Sequence, residues 1–88
     1  MLQVEFRPRA AQDFGKLDQV VADRVLKRLR WLAKNFDSVK PEALTGDFAA
    51  LFKLRVGNYR VIYDVDRERK VLTVRLLGHR REIYDQPA

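Results

Sequence analysis

Three basic residues, Lys53, Arg55 and Arg60, fall within the stretch FKLRVGNYRVIY. Apolar and polar positions alternate on both sides of Gly57-Asn58, and a two-residue link of this kind favours a type I′ or II′ hairpin. Such a turn sets the register: Val56 opposite Tyr59, Arg55 opposite Arg60, Leu54 opposite Val61 and Lys53 opposite Ile62. Phe52, Leu54, Val56, Tyr59, Val61 and Tyr63 then share a core face, and Lys53, Arg55, Arg60 and Ile62 share the other. Like charges placed directly opposite destabilise a sheet, and two cations about 5 Å apart repel by roughly 1–3 kcal/mol. Two readings follow. The face is either solvated, with flexible side chains, or an anion site in which a phosphate supplies the missing counter-charge.

The next strand and the tail extend the pattern. With Leu72, Val74 and Leu76 on the core face, Thr73 and Arg75 project with the basic set. Pairing Val74 with Val61 sets Arg75 beside Arg60, and a register displaced by two residues is the alternative. Asp64 is the one acid on the outer face of these strands. The tail GHRREIY adds His79, Arg80, Arg81 and Tyr84. Aromatic rings among cations suit RNA, where a base stacks while its phosphates are held. Simple alternation from Arg75 carries His79 and Arg81, rather than Arg80, onto the basic face. A bulge or turn at Gly78 reverses that.

These residues need a scaffold. Leu2, Val4 and Phe6 alternate with polar neighbours as a half-buried strand, and Pro8 suits a helix start. Ala10, Ala11, Phe14 and Leu17 recur at helical spacing, and Asp18 is a candidate N-cap for a second helix. That helix spans about 19–36, with Val21, Val25, Leu29, Leu32 and Phe36 in one apolar stripe and Arg24, Lys27, Arg28, Arg30 and Lys34 opposite. Trp31 falls among the charges, either as a partner surface or lying over basic stems. A connector rich in turn formers, NFDSVKPEALTG, leads to strands at about 51–56, 59–65 and 71–77. The order implies an α+β fold in one domain, residues 1–88: a small antiparallel sheet with an N-terminal strand, two helices on one face, then three consecutive strands.

With 88 residues, 47% hydrophobic content and a net charge of +6, the chain suits a small globular protein with an anionic partner. It has no cysteine and one histidine, so disulfides, thiolate metal sites and histidine-based metal clusters are excluded. The opening MLQVEFRPRA lacks a signal-peptide pattern, and no window approaches ~20 apolar residues, so a cytoplasmic location without membrane attachment is expected.

At LTGDFAALFKLRVGNYRVIYDVD and GHRREIY the sequence resembles toxins of the RelE/ParE superfamily, nearer the RelE branch. The resemblance covers essentially the whole chain. It implies a ribosome-dependent mRNA endonuclease that needs no cofactor or metal and is neutralised by a cognate antitoxin. The partners would then be the antitoxin, the ribosome and mRNA. By motif, the resemblance assigns catalytic roles to Lys53, Arg55, Arg60, Arg80 and Tyr84, with His79 and Arg81 as alternates. Lys53, Arg55, Arg60 and Arg75 would hold RNA phosphate. The implied reaction is attack of a 2′-hydroxyl on its own phosphodiester, leaving a 2′,3′-cyclic phosphate and a 5′-hydroxyl. Arg55 stands where lysine is frequent in the family, and arginine stays protonated, so Lys53 and His79 are the candidate bases. The ParE branch offers an alternative, a toxin that inhibits DNA gyrase by protein binding without cutting RNA. An inactive relative that only binds an antitoxin is a third.

Overall fold

Alternation at the N-terminus builds the first strand, β1 (Gln3–Phe6), whose Val4 and Phe6 turn toward the core. The computed structural model describes residues 1–39, 42–43 and 51–83, with 42–43 as backbone. Pro8 opens α1 (Pro8–Gly15), where a missing N–H costs no hydrogen bond. Asp18 precedes α2 (Gln19–Asn35) at the expected N-cap position, but it makes no side-chain cap; its carbonyl accepts from the Ala22 N–H at 2.8 Å. A short 3₁₀ turn, Phe36–Ser38, closes the helical segment.

Strands β2 (Glu42–Ala43), β3 (Phe52–Val56), β4 (Tyr59–Asp66) and β5 (Val71–His79) follow, then one helical turn, α3 (Arg80–Ile83). The sheet order is β1-β5-β4-β3-β2. The expected α+β architecture is present, with one difference. The sheet is mixed rather than antiparallel, because β1 runs parallel to β5, pairing Gln3 with Val71 and Phe6 with Val74. The chain between them passes through both helices and then three strands, which supplies the long crossover that a parallel neighbour requires.

Both helices cover the same face. Ala10, Val25, Leu29, Leu32 and Phe36 pack with Val56, Val61, Tyr63, Leu72, Val74 and Leu77 in one cluster. Rings extend it: Phe36 to Phe52 at 6.3 Å and Phe52 to Tyr63 at 5.5 Å between centroids. The apolar stripe of α2 thus fixes which face of β3 and β4 is inward, and the basic positions are left on the other side. Among the described residues, no helix is long and apolar enough to cross a membrane.

Candidate functional site

The β3–β4 hairpin has the register its sequence specifies, from Phe52 opposite Tyr63 to Val56 opposite Tyr59, with Arg55 directly opposite Arg60. Gly57 takes φ 58°, and Asn58 does not enter the left-handed region, which matches a type II′ turn with glycine at its first central position. Lys53 sits between two strands, opposite Ile62 on β4 and Glu42 on β2.

Arg60 is the best defined of the basic residues. Its Nη1 donates to the Gly57 carbonyl at 2.8 Å and to the Tyr59 carbonyl at 2.9 Å. The turn therefore grips one corner of the guanidinium. Arginine carries five donors. Both contacts use Nη1, so the Nε–Nη2 edge, the one that forks onto a carboxylate or phosphate, has no partner among the described residues.

The third strand departs from simple alternation. Val74 pairs with Tyr63, and Leu76 pairs with Ile62, so Arg75 is an extra residue bulged out between them. The pairing of Val74 with Val61 gives way to the register displaced by two residues, and Arg75 is not beside Arg60; Gly78 is. Instead Arg75 Nε donates to Asp64 Oδ2 in an ion pair. The expected row of guanidinium groups across three strands is thus interrupted by a carboxylate of the chain itself. The bulge also exchanges the inward residue near the strand end: Leu77 is buried in the core, while Leu76 has the register of the outer face.

The same bulge decides the parity of the tail. His79 pairs with Tyr59, a core-face position, and its ring meets the Tyr59 ring edge-on at 5.7 Å. His79 Nδ1 accepts the Arg81 N–H at 3.2 Å, which puts the proton of a neutral ring on Nε2. Arg80 begins α3, two residues after Gly78, and its N–H donates to the Asn58 carbonyl at 2.8 Å. The strand end is thereby tied to the hairpin turn, with Arg80 adjacent to it. The reversal expected from a bulge at Gly78 is produced three residues earlier, at Arg75. Arg81 is exposed, and Tyr84 lies outside the described residues.

Two features do not follow from the alternation of the sequence. Ile62 shares the outer face by register yet is only 2% exposed. Ile83 is buried too, and α3 packs against β4 and β5, its Ile83 Cδ1 lying 3.9 Å from where a Cβ on Gly78 would stand. The cationic face thus has an apolar floor at Ile62. The second is the Asp64–Arg75 pair. Asp64 lies four positions after Arg60 on the same face, but nothing short of the bulge shows which arginine it meets.

Trp31 is exposed on α2, 53% accessible, on the helix side of the molecule and away from the hairpin's outer face. Among the described residues, no group of three or more His, Asp or Glu side chains is arranged to hold a metal ion. Lys53, Arg55 and Arg60 share the outer face of the hairpin by register, and the Arg80 backbone is tied to its turn; guanidinium and ammonium groups are the side chains that suit a phosphodiester.

The chain matches, over residues 4–84, the model of the ParE toxin of the type II toxin-antitoxin system parDE. It belongs to that family, within the RelE/ParE superfamily. Its structural neighbours include RelE proteins. The RelBE2 toxin–antitoxin complex of Mycobacterium tuberculosis has a chain 25% identical, with TM-score 0.78, covering 89% of this chain and 96% of that one. The isolated Escherichia coli RelE toxin is also 25% identical, with TM-score 0.78 and coverage of 97% and 93%. The archaeal RelE–RelB complex from Pyrococcus horikoshii is 26% identical, with TM-score 0.67 and coverage of 92% and 97%. No curated protein matches the sequence.

Proposed function

We propose that this toxin is a ribosome-dependent endoribonuclease that cuts mRNA and is held in check by a cognate antitoxin. The reaction is attack of a 2′-hydroxyl on the adjacent phosphodiester, which breaks the bond to the 5′-oxygen and leaves a 2′,3′-cyclic phosphate. The observation that carries the reading is Arg60: the Gly57 and Tyr59 carbonyls fix one corner and leave its forked edge available. A donor set in place before the reaction stabilises a phosphorane-like transition state without reorganising. Lys53, Arg55 and Arg80 add charge around it, and Tyr84 is the residue assigned by motif to stack on a base or orient a phosphate.

Of the two candidate bases, Lys53 is favoured. His79 pairs with Tyr59 on the core-face side and spends Nδ1 on the Arg81 N–H, whereas Lys53 is two residues from Arg55 on the outer face. An antitoxin partner accords with the RelB-bound neighbours and with the cationic surface.

The test is cleavage of mRNA in translating ribosomes by the purified toxin, with Lys53→Ala, Arg60→Ala and Arg80→Ala each reducing it. Undiminished cleavage by all three would overturn the site assignment. A second reading is favoured by the family match, whose description names ParE. There the toxin inhibits DNA gyrase by protein binding, and Trp31 with the basic face of α2 matters more than the hairpin. Inhibited supercoiling with intact mRNA selects that reading.

A further inference from the structure

The outer face of the sheet is not electrostatically uniform. Along β4 its residues run Arg60, Ile62, Asp64, Asp66 from the hairpin turn to the far end. The hairpin end carries Lys53, Arg55 and Arg60, with Arg80 next to it. The far end opens into a cleft of about 770 Å³, in which Glu5, Asp64, Asp66 and Glu68 balance four arginines. The boundary between the two halves is the Arg75–Asp64 pair. The β5 bulge puts Arg75 within reach of Asp64, and the pair is open to solvent, with side chains 47% and 27% accessible.

We propose that Asp64 is a specificity-determining residue that ends the phosphate-binding track. It occupies the Arg75 guanidinium, so an RNA backbone is gripped at the hairpin end and not along the rest of the sheet. This rests on the reading of the outer face as an RNA site. Affinity for bare RNA is thereby kept low, which suits an enzyme whose substrate is to be presented by a larger particle. Removing the carboxylate charge releases a guanidinium positioned next to the track and adds about one phosphate contact. For a single strand each such contact steepens the dependence of log K on log salt by about 0.7.

The probe is a short labelled single-stranded RNA with a 2′-deoxy substitution at every nucleotide that could be cut, titrated at several salt concentrations. Asp64→Asn is expected to bind about three- to tenfold tighter, with a slope steeper by about 0.7. Arg75→Gln leaves the Asp64 carboxylate without its partner and is expected to bind more weakly. The double substitution returns to the affinity of the natural sequence. Asp66→Asn removes one negative charge from the same face, but its carboxylate holds the Arg69 N–H at 3.0 Å rather than a guanidinium. Equal gains from Asp64→Asn and Asp66→Asn would reduce the effect to net charge and overturn the proposal. So would a gain that persists in the double variant, or no gain at all. Thermal unfolding of each variant confirms that it is folded. Arg60→Ala separates the two levels of the account. Weaker binding in that variant with no response to Asp64→Asn overturns the boundary alone. Unchanged binding in Arg60→Ala overturns the RNA site and the boundary with it.

Discussion

Arg60 donates to the carbonyl of Gly57, three residues earlier, at 2.8 Å, so the turn that makes the hairpin also anchors the arginine at its mouth. The turn needs φ 58° at Gly57, and it is this backbone that presents the carbonyl. A flexible guanidinium loses side-chain entropy when it meets a ligand. Part of that cost is already met here by the fold. The opposing Arg55 then adds a second positive charge at the same level of the ribbon.

Replacing Arg60 by alanine should lower single-turnover mRNA cleavage by about 10²–10³-fold, the usual loss for a donor aimed at developing charge. Lysine should not restore it, because an ammonium cannot reach two carbonyls and still fork onto a phosphate. Stability should change by no more than about 1 kcal/mol, since the lost hydrogen bonds are near solvent. Cleavage rates and denaturant midpoints measured on the same samples check both parts. A lysine variant with full activity would contradict the bidentate role.

Lys53 and His79 separate by pH profile. With Lys53 as general base, Lys53→Ala should cost about 10²–10⁴-fold and abolish the rise of rate with pH, while His79→Ala keeps that rise. The opposite pattern would return the base to His79 and imply that its ring leaves Tyr59 during the reaction.

Tyr63 gives a prediction about stability alone. Burial pushes its hydroxyl from 10.0 up to about 12. The unfolded chain releases this proton near pH 10 while the folded protein still holds it. The contribution is therefore intact below pH 10 and is lost as pH rises through about 12. Urea midpoints should fall over that window, and Tyr63→Phe should fall less steeply than the natural sequence. Parallel curves for the two would show that Tyr63 is not the group responsible.

Trp31 is the single tryptophan of the chain and is exposed on α2. Its fluorescence therefore reports on the helix side of the molecule without interference. An antitoxin segment covering that face should shift the emission to the blue, and Trp31→Ala should weaken the complex by about 2 kcal/mol or more, as for an aromatic anchor. An emission spectrum unchanged by a tightly bound antitoxin would place the contact elsewhere.

Much of this molecule was legible in its residues. The hairpin register followed from Gly57-Asn58 and strict alternation, because a two-residue turn leaves no freedom in pairing. The stripe of α2 identified the buried helix face, and with it the outward direction of Lys53, Arg55 and Arg60. The bulge at Arg75 was not legible. Val74-Arg75-Leu76-Leu77 offers two apolar residues in succession, and alternation alone assigned the core position to Leu76. Packing put Leu77 there instead, with Leu76 opposite Ile62. That single extra residue gave Arg75 to Asp64, moved His79 to the Tyr59 side, and brought Arg80 next to the turn. The parallel placement of β1 was hidden for a different reason: strand direction depends on where a crossover lands, which local alternation does not record.

The most direct measurement is the mapping of mRNA ends, with their terminal chemistry, after brief expression of the toxin in growing cells. New ends should be confined to translated regions, with a 2′,3′-cyclic phosphate upstream and a 5′-hydroxyl downstream, and should disappear in Arg60→Ala. Intact mRNA during growth arrest, or ends bearing a 5′-phosphate, would contradict the proposed reaction.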